Sequence, residues 1–191
     1  FLALLVAKFL VANTLSYGIN LRQEHLNDFD NPFLFSFDSK LQVKAWYAIK
    51  INGSKNYRVP TFNDLYWNTG GNINLQPETS LQGELGNVFT FEAFKIDLSA
   101  FFIKSEDLIQ WRPNINGIWT PLNVSEVVNF GVELDASYRK TFGDNFIEFT
   151  ANYAYTEAED LEKKNQLIYV PFHYATAQVS YQYKNLSSTF T

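Results

Sequence analysis

The residue types in this chain that could carry out chemistry are histidines, clustered carboxylates, and aromatic side chains beside an arginine. The two histidines are His25 and His173, and the chain has no cysteine. Neither histidine has a second ligand at a metal-like spacing, which favours polar residues at the ends of strands. Without cysteine, disulfides, zinc knuckles and thiol nucleophiles are excluded. The sequence therefore predicts no metal site and no cofactor.

Three carboxylate groups invite comparison with metal or hydrolytic sites. Asp28 and Asp30 lie in a polar connection that lacks the glycine and glutamate spacing of an EF-hand. The acidic residues at 106–107 and 157–160 could be read as a glycosidase pair, but acidic side chains also keep an exposed loop solvated. The sequence contains no nucleophile elbow and no phosphate-cradling glycine loop. The chain is therefore predicted not to be an enzyme.

Aromatic side chains are concentrated in segments predicted to be loops. Between residues 56 and 78, two prolines, a Gly-Gly pair and several asparagines disfavour both helix and strand, which predicts an ordered loop. Aromatic planes beside a cation suit a large, flat or anionic ligand. The candidate ligand contacts are Tyr57, Arg58, Tyr66, Trp67, Trp111 and Trp119. For Trp111, packing at the base of the loop is at least as good an interpretation as ligand contact.

Composition limits the classes of protein that remain. The 191 residues carry a net charge of −5, so the chain lacks the extended basic surface that nucleic acid requires. Its 18 Phe and 11 Tyr suit strands and interfacial girdles. No apolar run reaches the roughly 18 residues of a membrane-spanning helix. A membrane-spanning β-barrel remains compatible with this composition, because only alternate residues of its strands face lipid.

Most of the chain alternates apolar and polar residues with a period of two, which is typical of strands with one dry and one wet face. The first ten residues are apolar on both faces, but without a basic region before them they favour a strand over a signal peptide, with a turn at 11–13. The pattern predicts an all-β antiparallel meander of about nine or ten strands, each about ten residues long.

The alternation also assigns side chains to the two faces of the sheet. On the clearest run, 128–139, every second residue is apolar or aromatic. The outward, lipid-facing set is predicted to include Phe130, Val132, Leu134, Tyr153, Val179 and Tyr181. The inward, luminal set is predicted to include Glu84, Asn129, Glu133, Asp135, Asn152 and Gln178.

The predicted connections alternate between long and short. The long ones are 26–34, 57–77, 107–125 and 157–168, and the short ones are 44–46, 92–93, 141–145 and 184–185. In a meander this places all the long connections on one edge of the sheet. Outer-membrane barrels have this asymmetry, with long extracellular loops and short periplasmic turns.

The loop at 56–78 resembles the large-barrel signature of TonB-dependent outer-membrane receptors, N-Y/F-R-x-P-T-x-x-D/E-L-Y followed by G-N-P-x-L-x-P-E. The strand ending at 107–109 and the Asn-x-Gly-Val-Glu pattern at 129–133 are similar to the same family. Ile73 stands where the family often has proline. The matching residues are Asn56, Tyr57, Arg58, Pro60, Thr61, Asp64, Leu65, Tyr66, Gly71, Asn72, Leu75, Pro77 and Glu78.

This resemblance implies a barrel of about 22 strands around an N-terminal plug, in the outer membrane of a Gram-negative bacterium. The implied partners are outer-membrane lipid, TonB through the N-terminal region, and a small-molecule ligand such as a siderophore, haem or cobalamin. Residues 1–191 are then expected to be a partial barrel domain from the C-terminal half. The plug and roughly nine strands would precede Phe1, about three strands would follow Thr191, and the fragment would form an open sheet.

Two other classes of function remain open at this point. A passive or adhesive outer-membrane barrel has the same periodicity as a receptor. A soluble β-rich module could use the aromatic loops to stack on sugars. The order of the motifs along the chain favours the active transporter.

Overall fold

The structure is a computed structural model that describes residues 2–11, 14–25 and 32–191. These residues form one antiparallel sheet of eleven strands and one short helix, α1 (Phe62–Tyr66). The strands are β1 (Leu2–Val11), β2 (Leu15–Glu24), β3 (Phe33–Lys44), β4 (Tyr47–Arg58), β5 (Glu78–Phe91), β6 (Phe94–Pro113), β7 (Trp119–Phe142), β8 (Asn145–Asp160), β9 (Asn165–Gln166), β10 (His173–Tyr183) and β11 (Leu186–Phe190). No helix among these residues is long and apolar enough to cross a membrane.

The strand order confirms the predicted meander. It runs β1-β2-β3-β4-β5-β6-β7-β8-β10-β11, and the two-residue β9 pairs with β8 beside this path. Within the described ranges, β1 pairs only with β2 and β11 only with β10. The sheet is therefore open, as expected, and ten strands lie along its path.

Register separates the side chains into two faces. Leu134 is opposite Tyr153, and the neighbouring Asp135 is opposite Asn152. Because side chains alternate across a strand, the first pair lies on one face and the second on the other. The same reasoning along the other ladders places the six residues predicted to point outward on one face, and the six predicted to point inward on the other.

Phe101 is one of the aromatic residues that depart from this division. Phe101 is opposite both Glu84 and Gly131, so it lies on the polar face. A Cβ at Gly131 would come within 2.9 Å of the Phe101 ring. Glycine at this position therefore leaves room for an inward phenylalanine, which the alternating pattern alone did not predict.

Hydrogen bonds between strands satisfy many polar side chains on the inner face. Lys50 Nζ lies 2.5 Å from Asp97 Oδ2, and Asn52 donates to Glu84 across 3.1 Å. Paired in this way, polar groups cost much less to remove from bulk water than isolated ones. The inner face can therefore be polar even where its polar groups are not in contact with water.

The short connections are confirmed, and two long connections are corrected. The connection predicted at 157–168 lies at 161–172, because β8 continues to Asp160. Turns of two residues join β3 to β4, β5 to β6, β7 to β8 and β10 to β11. The predicted connection at 26–34 lies largely outside the described residues, as does most of the turn at 11–13. The predicted loop at 107–125 is wrong, because β6 and β7 continue through it and only residues 114–118 connect them.

The prolines explain why this hairpin was predicted as a loop. Pro113 ends β6, and Pro121 lies within β7 opposite Trp111. A proline lacks the N–H donor, but a strand tolerates it at its end or where that donor is not needed. Beyond Glu106, where β5 stops pairing, the hairpin extends past its neighbours. We call residues 107–125 the hairpin extension.

The face assignment makes a testable prediction on β10, where Val179 and Gln178 are neighbours on opposite faces. In the full-length protein that contains this chain, Val179→Arg is expected to lower the free energy of unfolding from lipid vesicles by about 2–4 kcal/mol, because it puts a charge near mid-strand on the face predicted to contact lipid. Gln178→Arg is the matched control and should cost much less. Equal losses in a urea titration would contradict the assignment.

Candidate ligand-binding loop cluster

Three connections meet at one edge of the sheet. They are residues 59–77 between β4 and β5, which we call the signature loop, the hairpin extension, and residues 161–172 between β8 and β10, which we call the β8–β10 loop. Because β4 to β8 are neighbours in the sheet, these connections are neighbours at its edge. Together they form the loop cluster.

The signature loop contains a capped helical turn, where the sequence had predicted neither helix nor strand. Thr61 is the N-cap of α1, and its Oγ1 accepts a hydrogen bond from the backbone amide of Asp64 at 3.2 Å. The Asp64 carboxylate accepts one in return from the Thr61 amide at 2.9 Å. This reciprocal capping box explains why five residues in a proline- and glycine-rich loop form a helix.

Asp64 is the centre of a larger network. It is 5% exposed, and its Oδ1 accepts a hydrogen bond from Trp111 Nε1 at 2.9 Å. Arg58 Nη1 lies 3.4 Å from Oδ2. Burial raises the pKa of Asp64, but hydrogen bonds from Thr61 and Trp111 and the charge of Arg58 outweigh it and hold the pKa below its usual range.

Arg58 also joins the two strands that carry the signature loop. Its Nε and Nη2 donate to the two Glu78 carboxylate oxygens at 2.7 and 2.9 Å. Glu78 Oε2 in turn accepts a hydrogen bond from the Ile109 amide at 2.7 Å. A bidentate pair of this kind fixes orientation as well as distance. Arg58 and Glu78 therefore attach the signature loop to the hairpin extension.

Backbone groups complete the contact between these two segments. Asn123 accepts a hydrogen bond from the Gln76 amide and donates one to the Gln76 carbonyl, both at 2.9 Å. Asn72 donates to the Pro121 carbonyl at 3.2 Å. A Cβ on Gly70 would collide with the Trp119 carbonyl oxygen. The approach is therefore close enough to require glycine there.

The β8–β10 loop is attached to the other side of the cluster through Asp160. This residue is 1% exposed and accepts hydrogen bonds from Arg112 Nη2 at 3.0 Å and from the backbone amides of Glu162 and Lys163 at 3.2 and 3.1 Å. Burial raises the pKa of Asp160, but the amide of Lys163 and the guanidinium of Arg112 hold it below its usual range.

A small apolar core lies beneath this loop. Val124 and Val127 of β7 pack with Ala158 of β8 and Leu167 of the loop, all of them buried. Gln166 reinforces the packing, because its side chain accepts from the Ala158 amide at 2.8 Å and donates to the Val170 carbonyl at 3.0 Å. The β8–β10 loop is thus a packed element and not a flexible link.

A cavity of about 360 Å³ opens beside this core on the polar face of the sheet. Glu84, Asn129 and Glu133 contribute polar wall, and Leu167 and Val170 of the loop contribute apolar wall. In the described part of the chain, no three His, Cys, Asp or Glu side chains come together as a metal site.

The structure divides five of the six candidate contact residues into two groups. Tyr66, Trp67 and Trp119 are exposed on the loop cluster, and the last two both adjoin Gly70. The side chains of Arg58 and Trp111 hold the network around Asp64.

Tyr57 stands apart from these residues. Tyr57 and Arg58 are consecutive in β4, so the strand pleat directs their side chains to opposite faces. Arg58 shares the polar face with Glu78, which is opposite it in the ladder. Tyr57 therefore belongs to the apolar face at the end of the strand.

Sequence reasoning missed several residues of the cluster. Phe62 is exposed and lies near Tyr66, with ring centroids 4.9 Å apart. Tyr169 approaches Trp119, with centroids 6.0 Å apart. Arg112 was also missed. The spacing Thr61-x-x-Asp64 is the one signal that could have revealed the capping box, whereas nothing local marks Arg112.

Comparisons with known proteins agree with this architecture. A family model described as TonB dependent receptor-like, beta-barrel, matches residues 7–191. The vitamin B12 transporter BtuB of Photobacterium profundum is 32% identical over 157 residues, which are 80% of this chain and 23% of that protein. BtuB of Vibrio vulnificus (strain YJ016) is 42% identical over 83 residues, which are 43% of this chain and 14% of that protein. The chain spans less than a quarter of these curated relatives.

Solved structures show the same fold. The siderophore receptor PirA from Acinetobacter baumannii superimposes with a TM-score of 0.74 at 20% identity, covering 97% of this chain and 31% of that one. The copper transporter OprC gives a TM-score of 0.74 at 17% identity, covering 98% and 33%. With the family match over nearly its whole length, this chain belongs to the TonB-dependent receptor β-barrel family.

Proposed function

We propose that this chain is the part of a TonB-dependent outer-membrane transporter that supplies one wall of the barrel and a share of the loops that capture cargo. The observation that carries the proposal is the loop cluster, in which a rigid polar network presents exposed aromatic side chains at one edge of a two-faced sheet. Rigid aromatic surfaces bind large, flat ligands with little loss of side-chain entropy.

Vitamin B12 is the first cargo to test, because the curated relatives that match the chain are named as its transporters. Siderophores are the second, since receptors for them share the fold. The outward apolar face would contact outer-membrane lipid, and the polar face would surround a plug. TonB would act through the N-terminal region of the whole protein. In this proposal the protein has no enzymatic activity.

The experiment is uptake of radiolabelled vitamin B12 by cells that carry the full-length protein and lack any other B12 transporter in the outer membrane. Uptake that disappears when TonB is deleted supports active transport. Uptake that persists unchanged without TonB would contradict it and favour a passive barrel. Ferric siderophore uptake in the same cells tests the second cargo.

The exposed aromatics of the signature loop make a second prediction. Tyr66→Ala and Trp67→Ala are each expected to weaken cargo binding about tenfold, the effect of losing one well-packed aromatic contact. Neither side chain is buried, so the amount of folded protein in the outer membrane should not change. Trp46→Ala, an exposed tryptophan beside the β3–β4 turn at the opposite edge, is the matched control. Unchanged binding would remove both residues from the site.

A further inference from the structure

A cleft between the hairpin extension and the β8–β10 loop is separate from the aromatic surface of the signature loop. Its volume is about 550 Å³, within the range of sites that take a small molecule or one end of a larger one. Arg112 and Trp119 line it from the hairpin, and Lys163, Asn165 and Tyr169 line it from the loop. Two connections of the loop cluster are therefore needed to form it.

The cleft offers aromatic surface at its mouth. The rings of Trp119 and Tyr169 lie 6.0 Å apart between centroids and are tilted by 31°. Tyr169 is 82% exposed, although its backbone has a φ of 66°, which a bulky residue rarely adopts. A strained backbone that holds a large aromatic ring in solvent is a feature expected of a binding surface.

The charged residues that line the cleft are both cations. They are Arg112 and Lys163, in a chain whose net charge is −5. Asp160 lies behind Arg112 and is buried, so it offsets one of the two positive charges. The local net charge of the cleft is therefore positive, and it favours the binding of an anion.

The walls of the cleft are already fixed before any ligand binds. Asp160 holds Arg112 and the backbone of the loop at Lys163. Gln166, which also lines the cleft, is held by hydrogen bonds at both ends of its amide. A site ordered in advance does not lose binding free energy to loop ordering.

We propose that this cleft binds an anionic group that lies close to a flat aromatic ring, at one end of the transported cargo. The proposal rests on the proposed transport function. Lys163 and Arg112 attract the anion, while Trp119 and Tyr169 stack against the ring. Two sources carry this chemistry. One is the phosphodiester next to the benzimidazole ring of vitamin B12, and the other is the catecholate rings of ferric enterobactin.

The test measures dissociation constants by calorimetry with purified full-length protein. The probes are vitamin B12, ferric enterobactin, and cobinamide, which lacks the phosphodiester and the benzimidazole. The variants are Trp119→Leu and Lys163→Gln. Lys164→Gln is the matched control, because it removes the same charge one residue further along, at a side chain that does not line the cleft.

We expect each variant to raise the Kd about tenfold for the one aromatic anion that the wild type binds, and Lys164→Gln to leave it unchanged. If that ligand is vitamin B12, cobinamide should bind the variants as it binds the wild type. Equal losses for vitamin B12 and cobinamide would overturn the assignment, as would variants that bind like the wild type. A wild type that binds none of the probes would overturn this proposal, whereas the transport function is contradicted separately, by uptake that persists without TonB.

Discussion

Replacing Asp64 with alanine is expected to open the signature loop. The change removes the capping box of α1, together with the acceptor for the Trp111 indole and one partner of Arg58. Thr61 remains as the N-cap, but its amide loses its acceptor, and a lost capping hydrogen bond costs about 0.5–2 kcal/mol. The Trp111 indole, a donor left without its partner in a partly buried place, costs about 1–3 kcal/mol more. We expect the free energy of local opening to fall by about 2–4 kcal/mol, the middle of the range that these two losses span.

Hydrogen–deuterium exchange over residues 59–77 of the full-length protein measures this change. Asn63→Ala is the matched control, because this exposed neighbour lies in the same helical turn. Protection of the loop should be lost in the first variant and kept in the second. Unchanged exchange in the Asp64→Ala protein would show that other contacts hold the loop.

Arg112→Met is expected to destabilise the β8–β10 loop by about 3–5 kcal/mol, because it leaves the Asp160 carboxylate buried without its cation. The double variant Arg112→Met with Asp160→Asn should recover much of this loss, since the amide oxygen can still accept from the Glu162 and Lys163 backbone. Arg139→Met is the matched control at an exposed ion pair, where the cost is about 0–1 kcal/mol.

The same carboxylate predicts a pH dependence. The pKa of Asp160 is lower in the folded protein than in the unfolded chain, so its stabilising effect is complete above the unfolded value of about 3.9. It is lost as the pH falls through the lower folded value. The protection factors of residues 161–172, which correct for the slower intrinsic exchange in acid, should therefore fall with pH in the wild type and depend less on pH in Asp160→Asn. An equal fall in both proteins would contradict this assignment.

Two consecutive residues connect these predictions. Trp111 holds Asp64 of the signature loop, and Arg112 holds Asp160 at the start of the β8–β10 loop. Neighbouring side chains of a strand point in opposite directions. The hairpin extension therefore contacts a buried carboxylate of the signature loop through Trp111, and a second one at the start of the β8–β10 loop through Arg112. The three connections are therefore expected to lose order together when the hairpin is disrupted.

Much of the fold could be predicted because strands in a two-faced sheet show their period in the sequence. The run at 128–139 and the strands on either side of it follow the alternation closely, and so do the twelve face residues. Phe101 departs from the pattern in residue type, because its place in the alternation of β6 is inward although its side chain is aromatic. The room for its ring depends on Gly131 of the neighbouring strand, and local sequence does not reveal that contact.

The loop cluster was predicted less completely. Its location and its exposed aromatics at 66–67 follow from composition, but Pro113 and Pro121, which predict a loop, lie within a long hairpin. The roles of Arg58 and Trp111 also depend on partners far along the chain. Arg58 reaches Glu78, and Trp111 reaches Asp64 across 47 positions of sequence. Such contacts are set by register and not by local pattern.

The signature motif holds the loop cluster together, and in the proposed function the exposed aromatics contact the cargo. The most direct test is hydrogen exchange over residues 59–77 in two full-length variants that are both expected to weaken vitamin B12 binding, Asp64→Ala and Trp67→Ala. We expect rapid exchange in Asp64→Ala and exchange like that of the wild type in Trp67→Ala. Full protection of the loop in an Asp64→Ala protein that has lost binding would contradict this expectation, because the motif would then contact the cargo directly.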